Sequence, residues 1–562
     1  MNYIYLYFFT LILTFSIIGY GFILSKIINK DLLKYNLGYI GLLGLLCLVI
    51  ISYTTIYFTK HGYVHNIILH AFGISSFIFH IKERKLNIEV FKLIIIFSIL
   101  FCGLLVIRNH DDFNYYHFTY SLGLTENKLF LGLGNFQHGY KHHSSIFFLN
   151  SITFLPFIKY FLFHSISWIT LVFVNYIILD FILKNNNLKK FDFNLIFYIT
   201  VLLFINYKFF RIGSHGTDIS GQLILLILLP FIYSSLKQKK INSDLDMAIL
   251  LITYVVTLKA FFVLNFIFLF AYFFVFKIKQ LLSYIFNTKT ILISFLTIGL
   301  LSSINISYTG CVIYPIKQTC FFDKFSWTIK KQHVEHLSQW YEVWAKSGAG
   351  PNYGHDNLDE YIKNFNWVSN WYKRYFEYKG LETIGGILFL FILMFAIYYN
   401  KNRKPPKKNE KKIIIILYLL SLALLFEWFI NRPTLRYGGY YLLCFTLFIP
   451  FSYFLSFRKI KFEKVKNYTI SLIILSFLLF NFKNISRIGS EIEIVKEHNF
   501  PLFYAPIQTF KTIKLKNNVE VYIPNNTAKA QGCWVTKTPC VNGVDHIRVK
   551  QKYGFTIFYN KT

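Results

Sequence analysis

Adjacent carboxylates are the first feature of this sequence that could do chemistry. Asp111 and Asp112 directly follow an apolar block, with His110 before them and Tyr116 shortly after. One such carboxylate can act as general base on a hydroxyl, and two can hold Mg²⁺ or Mn²⁺ against phosphate oxygens. The competing interpretation is a solvated helix cap ahead of Phe113–Tyr120, which the pair alone does not exclude.

Two further polar clusters also adjoin apolar blocks. The first runs from Arg211 to Asp218 and includes His215, and the second contains Arg432 and Arg436. Arginines can clamp a phosphate or diphosphate, because the planar guanidinium group matches such oxygens with two hydrogen bonds. The alternative role for Arg432 and Arg436 is to anchor the chain at a membrane interface.

Single charged and titratable residues complete the candidate set. Lys259 interrupts a long apolar stretch, 246–277, and is a candidate phosphate contact, although solvation at the membrane surface explains it equally well. Several histidines stand in the polar clusters: His110, His117, His138, His142, His143 and His215. None has the HExxH context of a zinc site, so we expect polar-loop histidines, with His110, His138, His142 and His215 as candidate substrate contacts.

The composition identifies the elements that must position these residues. Of 562 residues, 55% are hydrophobic and only 15% are charged. The apolar residues form blocks of roughly 17–23, which is the length of a membrane-spanning helix, and in lipid a helix satisfies its own backbone groups. We predict an all-α polytopic membrane protein with about 12–14 transmembrane helices. The net charge of +32 does not indicate nucleic acid, because the basic residues cluster between apolar blocks.

The basic clusters predict which loops face the cytoplasm. They are Lys26–Lys34, Lys82–Lys92, Lys184–Lys190, Lys237–Lys240, Lys277–Lys289, Lys401–Lys412 and Arg458–Lys466. If all seven clusters face the cytoplasm, the chain has outer loops at 108–143 and 307–380. The transmembrane bundle then covers 1–483, and 484–562 is an outer segment. This topology needs two short passes around Lys259, and one long tilted helix would invert everything after it.

Cysteine positions and β-type runs characterise the outer segments. Cys311 with Cys320, and Cys533 with Cys540, are close pairs in segments that the charges place outside, where disulfides can form. Short runs rich in β-branched residues, separated by turn residues, stand at 511–516, 519–524, 546–549 and 554–559. We predict a small extramembrane β-rich module at the C-terminus.

These motifs together resemble the GT-C class of integral-membrane glycosyltransferases. The resemblance is carried by Asp111-Asp112 after an early span, the polar turn at 214–218, Tyr314-Pro315-Ile316, the run Arg432–Gly438 and the Cys533–Cys540 segment. The resemblance covers most of the chain, as architecture and short motifs. Within the class, the sequence looks like a poorly characterised bacterial branch. The WWDYG-type signature of oligosaccharyltransferases is missing.

The resemblance implies transfer of a sugar from a polyprenyl-phosphate donor to a glycan, lipid or protein acceptor. Asp111 or Asp112 would be the base, and the reaction would invert the anomeric carbon. The resemblance also implies a bacterial inner membrane, with the site facing the periplasm. Lys259, Arg436 and Arg211 are candidates for the lipid phosphate by position alone.

Three other functions remain open from the residues. A polysaccharide polymerase or ligase would depend on outer-loop arginines and histidines rather than on an acidic base. A transporter or lipid flippase would place charges near the middle of the membrane, often in two related halves, and no repeat is present here. A non-enzymatic scaffold would leave three polar clusters without a role.

Overall fold

Helices make up most of the protein, as the apolar blocks predict. The computed structural model describes residues 3–105, 110, 112–184, 188–189, 191–348, 357–403, 408–494, 509–525, 533, 535–541, 543–544 and 546–560. The α-helices are α1 (Tyr3–Ile28), α2 (Leu37–Thr55), α3 (Tyr63–Arg84), α4 (Asn87–Leu100), α5 (Phe118–Glu126), α6 (Ser145–Ile152), α7 (Ser165–Leu183), α8 (Phe193–Lys208), α9 (Gly216–Gln238), α10 (Ser243–Leu258), α11 (Phe270–Phe273), α12 (Ile278–Asn287), α13 (Lys289–Thr309), α14 (Lys331–Lys346), α15 (Leu358–Ile362), α16 (Val368–Trp371), α17 (Leu381–Tyr398), α18 (Lys408–Asn431), α19 (Gly439–Ser456) and α20 (Phe462–Ile494).

Eleven helical segments of the described chain are long and apolar enough to cross a membrane. They are α1, α2, α3, α4 with the 3₁₀ turn after it, α7, α9, α13, α17, α18, α19 and α20, some with short adjoining turns. This confirms a polytopic all-α protein. The predicted count of about 12–14 crossings is reached only if shorter helices such as α8 and α10 also cross.

Close backbone contact joins the first three helices. A Cβ on Gly44 of α2 would lie 1.8 Å from the Ile17 carbonyl oxygen of α1, and one on Gly19 would lie 1.9 Å from the Gly73 carbonyl oxygen of α3. Small residues at such crossings let helix backbones approach closely, which is how helices pack in lipid. The three helices therefore form one tightly packed unit.

The helix ends that carry basic clusters lie together, and we call this the basic end of the bundle. Lys237 near the end of α9 lies 3.1 Å from Glu410 at the start of α18. The Asn36 amide before α2 donates a hydrogen bond of 2.8 Å to Asp180 near the end of α7. Ends that the charge pattern groups together are thus in physical contact.

Lys259 lies at a sharp reversal of the chain. It follows α10 in an extended conformation, with φ −154° and ψ 129°, and the 3₁₀ helix Ala260–Leu269 begins directly after it. The Tyr272 hydroxyl then donates to the Ser235 hydroxyl over 2.9 Å, near the basic end of α9. The two arms around Lys259 run in opposite directions, as two short passes require.

Two antiparallel hairpins form the C-terminal module, which confirms the predicted β-rich region. Its strands are β1 (Phe510–Lys514), β2 (Glu520–Pro524), β3 (Ile547–Lys552) and β4 (Phe555–Asn560), paired β1–β2 and β3–β4. The outer edge of β4 also pairs with Leu131, whose N–H donates to the Thr556 carbonyl over 3.0 Å. The module is therefore hydrogen-bonded to the loop after α5.

Both predicted cysteine pairs are disulfides in the structure. The sulfur atoms of Cys311 and Cys320 are 2.05 Å apart, and those of Cys533 and Cys540 are 1.99 Å apart.

Helix α20 continues to Ile494, beyond the predicted end of its span at 483. Its last turns therefore extend past the apolar part of the helix, toward the polar residues described next.

Candidate active site

Arg436 lies in a turn whose backbone is held by its neighbours. This 3₁₀ turn connects α18 and α19. The Leu435 N–H donates to the Tyr375 hydroxyl over 2.8 Å, and the Arg436 carbonyl accepts from the Gln222 amide over 2.9 Å. Gly438 takes a φ of +98°, which L side chains rarely adopt, and α19 starts directly after it. The direction of the Arg436 side chain is therefore well defined.

The Arg436 guanidinium group bridges two carboxylates from distant parts of the chain. Its Nη2 donates to Asp112 Oδ2 over 3.0 Å, and its Nε donates to Asp218 Oδ2 over 3.2 Å. The same group lies 5.8 Å from the ring centre of Trp344 and 5.4 Å from that of Tyr437. Charge-assisted hydrogen bonds and aromatic contacts together fix a cation at the centre of the site.

Asp112 is ionised in this environment. Its N–H donates to His110 Nδ1 over 3.1 Å at the start of a π-helical turn. Burial raises the pKa of the Asp112 carboxyl, but Arg436, together with His117 and His110, outweighs that effect and lowers it well below its usual range. The carboxylate is thus pre-formed, but its pairing with Arg436 makes it a weak base.

Asp218 and Lys259 extend the charge network into the bundle. Asp218 lies in the first turn of α9, where the positive end of the helix dipole stabilises a carboxylate. Its side chain is buried. Lys259 Nζ lies 3.7 Å from Asp218 Oδ1. Asp112 and Asp218 therefore face two cations, Arg436 and Lys259, and the group of four is electrically balanced.

A cavity of about 550 Å³ opens beside this network. Its lining includes four cationic and two anionic side chains, which favours an anionic ligand; they are Lys208, Arg211, Lys379, Arg436, Asp112 and Asp218. Aromatic rings share the lining, among them Trp344, Tyr375 and Tyr440. The cavity therefore combines positive charge with flat apolar surfaces.

A buried ion triad holds Arg211 at the cavity wall. Arg211 Nη2 lies 3.2 Å from Glu491 Oε1, and Arg487 Nη1 lies 2.9 Å from the other oxygen of Glu491. Arg487 also donates to the Leu105 carbonyl over 2.6 Å. Leu105 follows α4 and shortly precedes Asp112, so the end of α20 braces the chain that presents this carboxylate.

His138 and His142 form a separate cluster beside the cavity. Their Nε2 atoms are 3.1 Å apart, and the Tyr341 hydroxyl lies 2.7 Å from the Nε2 of His142 and 3.2 Å from that of His138. Burial, together with nearby Lys141, lowers the pKa of His138 to about 4, and burial beside His138 lowers the pKa of His142 well below its usual range. The centre of the Tyr116 ring lies 5.7 Å from that of His142, with the two rings tilted by 40°. The cluster anchors α14, the helix that carries Trp344.

The predicted site residues therefore divide into four groups. Asp112, Asp218, Arg211, Arg436 and His110 line one cavity, with Lys259 in contact with Asp218. His138, His142 and Tyr116 lie behind that lining. Asp111 and the side chain of His215 lie outside the described residues. Arg432 continues α18, its N–H bonded to the Trp428 carbonyl over 2.9 Å, and is not part of the lining.

Sequence reasoning missed several residues that line the cavity or hold its lining in place. Trp344 lies on the amphipathic helix α14, where the spacing of Trp340, Tyr341 and Trp344 was the available signal. Glu491 follows Arg487 by four residues beyond the apolar part of α20, a spacing that indicates a helical ion pair. Lys208 and Lys379, each next to the end of a span, resemble ordinary interfacial lysines and gave no separate signal.

The predicted divalent cation depends on Asp111. Among the described residues, no three His, Cys, Asp or Glu side chains are grouped closely enough to hold a metal ion. Asp112 and Asp218 both face Arg436 instead. A site with Asp111 as a ligand would lie partly outside the described residues, so the cation stays a prediction.

Comparison with known proteins gives one match. A family model described as "Domain of unknown function (DUF8201)" matches residues 1–443. No curated protein and no solved structure is similar enough to be matched. The match includes Asp112, Asp218, Lys259 and Arg436, whereas Glu491 and the C-terminal module lie beyond it.

Proposed function

The chain thus belongs to the DUF8201 family, whose description assigns no activity, and from its site we propose that it is a membrane glycosyltransferase. It moves a sugar from a polyprenyl-phosphate donor to a glycan, lipid or protein acceptor. The observation that carries the proposal is Arg436, hydrogen-bonded to both Asp112 and Asp218 at the wall of a cationic cavity. An acidic base next to phosphate-binding cations is the combination that this reaction needs.

The lining suits both parts of a lipid-linked sugar. Arg436, Arg211 and Lys379 supply positive charge for a phosphate, and the rings of Trp344 and Tyr440 supply flat surfaces for the apolar faces of a sugar. All of these side chains lie at ends of apolar helices or in the outer loops. A donor with its lipid chain in the bilayer can therefore place its phosphate in the cavity.

The proposed reaction is a single displacement. The acceptor hydroxyl oxygen bonds to the anomeric carbon of the sugar, and the bond from that carbon to the phosphate oxygen breaks. Asp112 takes the hydroxyl proton, and the polyprenyl phosphate leaves with its negative charge beside Arg436. Attack from the face opposite the phosphate inverts the anomeric carbon.

Arg436 links donor binding to the strength of the base. In the structure one of its terminal nitrogens is engaged by Asp112. A donor phosphate competes for that cation, and loss of the pairing raises the pKa of the Asp112 carboxyl. Asp112 therefore becomes a better proton acceptor when the donor is bound.

The test is transfer of labelled sugar from a polyprenyl-phosphate donor by protein in liposomes. We expect Asp112→Asn to lower kcat by two or more orders of magnitude, about the contribution of a general base, while donor binding persists. Asp323→Asn is the matched control, because Asp323 is an exposed carboxylate in another outer loop. Full activity of Asp112→Asn would refute the assignment of Asp112 as the base. If that activity is then lost when Arg211 or Arg436 is replaced, a polymerase or ligase is favoured.

A further inference from the structure

A second cavity, larger than the candidate active site, lies near the opposite end of the bundle. It has a volume of about 730 Å³ and lies between α4, α7 and α20. Each helix contributes residues that are three or four positions apart and therefore lie on one face of the helix. The α7 face, for example, consists of Tyr176, Leu179, Asp180, Leu183 and Lys184.

The walls of this groove are apolar and open toward the membrane region. Ile96, Leu179 and Phe477 form a buried floor, whereas Ile474 and Leu478 at the rim are 55% and 62% exposed. Along α4 the groove extends from Glu89 to Ile99, about 15 Å at the helical rise, which is half the thickness of a hydrocarbon core. That length fits the acyl chains of one leaflet.

The mouth of the groove carries two exposed ammonium groups. Lys92 Nζ lies 2.9 Å from Glu89, and Lys184 Nζ lies 3.0 Å from Asp180, while the lysine side chains remain 51% and 63% exposed. Asp180 also accepts a hydrogen bond from Asn36, and Glu89 accepts one from the Tyr176 hydroxyl.

This arrangement leaves positive donors, rather than negative acceptors, for a ligand. The carboxylates are used by protein donors, and Asp180 is only 10% exposed. Each ammonium group has three N–H donors, of which the structure shows one bound to a carboxylate. The donors that remain suit the oxygens of a phosphodiester.

We propose that this groove is a binding site for one diacyl phospholipid, with its phosphate between Lys92 and Lys184 and its acyl chains along α4 and α20. The exposed ammonium donors of Lys92 and Lys184 at the mouth and an apolar slot one leaflet long select this occupant. The site does not depend on the proposed function.

The lipid occupies a place where it can set the spacing of two functional helices. α4 leads through Leu105 to Asp112, and α20 contacts Leu105 through Arg487. At the other end of the same pair of helices lies the groove. A phospholipid wedged there supports α4, of which only about a third is buried within the described bundle.

The binding experiment uses delipidated, full-length protein in detergent, titrated with palmitoyl-oleoyl phosphatidylglycerol and observed by native mass spectrometry. Palmitoyl-oleoyl glycerol, which has the same chains without the phosphate, and a polyprenyl phosphate are parallel probes. We expect one phosphatidylglycerol per chain and about tenfold weaker binding of the diacylglycerol, the size of a lost charge-assisted contact.

Variants separate the groove from general lipid contact. Lys92→Ala with Lys184→Ala should reduce phosphatidylglycerol binding to the diacylglycerol level, and Leu478→Trp should block both lipids. The matched controls are Lys411→Ala with Lys412→Ala, which remove two exposed lysines at the same end, and Leu419→Trp on α18, where the leucine is 58% exposed.

The outcomes are decisive without an activity assay. Equal lipid binding by the Lys92/Lys184 variant and its control would overturn the proposal, as would diacylglycerol binding equal to that of phosphatidylglycerol. Preference for the polyprenyl phosphate would overturn the assigned ligand class. If Leu478→Trp unfolds, the lysine variants still decide, because their side chains are exposed.

Discussion

Arg436 donates a 3.0 Å hydrogen bond to Asp112 across 324 residues of sequence. The same guanidinium group donates to Asp218, so a single side chain joins the loop after α4, the start of α9 and the start of α19. Elements that are far apart in the chain are therefore held together by one cation. Its removal should be detectable both in stability and in ligand binding.

Replacement of Arg436 by Gln should change how stability depends on pH. The lowered pKa of Asp112 means that its pairing with Arg436 stabilises the fold above the ordinary aspartate pKa of about 3.9. That contribution is lost as the pH falls through the lowered native pKa. We expect the melting temperature of the wild type to be higher than that of Arg436→Gln at pH 7. The difference between the two melting temperatures should be smaller at pH 3.

Thermal unfolding of both proteins in nanodiscs across this pH range is the measurement. Carboxylates that do not contact Arg436 titrate in both proteins and cancel in the difference, whereas Asp218 loses the same partner as Asp112. Arg403→Gln serves as control, because Arg403 is exposed near the basic end of the bundle. A difference between wild type and Arg436→Gln that is constant with pH would contradict the ion pair.

Removal of the Glu491 charge should destabilise the protein strongly. Glu491 is 3% exposed and lies between Arg211 and Arg487, so Glu491→Gln leaves two cations without their carboxylate. Breaking a buried ion pair from one side costs about 3–5 kcal/mol. Glu493→Gln, an exposed carboxylate two residues further along the same helix, should have little effect.

Melting temperatures of the two glutamine variants in the same detergent test this expectation. The larger loss should belong to Glu491→Gln. Equal melting temperatures would mean that the triad contributes no more than an exposed ion pair, which is typically worth under about 1 kcal/mol.

Much of the architecture could be predicted because its cause is local. Apolar blocks of spanning length define the helices, and the charges between them group the helix ends that the structure joins, such as Lys237 with Glu410. Asp112, Asp218, Lys259 and Arg436 could each be selected because they adjoin or interrupt apolar blocks, in which ionisable residues are rare and often functional. None of these signals depends on contacts between distant segments.

Pairing between those residues depends on tertiary packing and could not be predicted. The sequence does not reveal that Arg436 binds both aspartates, since helix order around the bundle decides it. Glu491 lies beyond the apolar part of the last span, and its burial depends on the packing of α20 against Leu105, which the sequence does not reveal. Trp344 reaches the cavity because the His138–His142 cluster fixes α14.

The orientation of the bundle in the membrane has a direct test. We predict that the end with Asp112 faces away from the cytoplasm, because the basic clusters occupy the other end. A cysteine placed at Lys60, exposed in the loop after α2, should react with a membrane-impermeant maleimide on intact cells. A cysteine placed at Lys411 should react only after the membrane is opened.

Both variants need a background in which the free cysteines Cys47, Cys102 and Cys444 are replaced by serine. Reaction at position 411 in intact cells, with position 60 protected, would invert the topology. It would also move the proposed chemistry to the cytoplasmic face.

Trp344 should contribute to ligand affinity rather than to the chemical step. Its ring lies 5.8 Å from the Arg436 guanidinium group and forms part of the cavity wall. Trp344→Ala removes a flat surface proposed for the sugar and a cation–aromatic contact of about 0.5–2 kcal/mol that holds the phosphate-binding Arg436, so donor binding should weaken by up to roughly 30-fold. The proton acceptor Asp112 is untouched, and kcat at saturating donor should change little.

Trp340→Ala is the matched control for Trp344→Ala, since Trp340 lies one turn earlier on α14 and contacts His138 instead of the cavity. KM and kcat for the polyprenyl-phosphate donor, measured for both variants in liposomes, separate the two roles. An increase in KM confined to Trp344→Ala is expected. A fall in kcat without a change in KM would place Trp344 in the transition state instead, and equal effects of the two variants would mean that both act only through the position of α14.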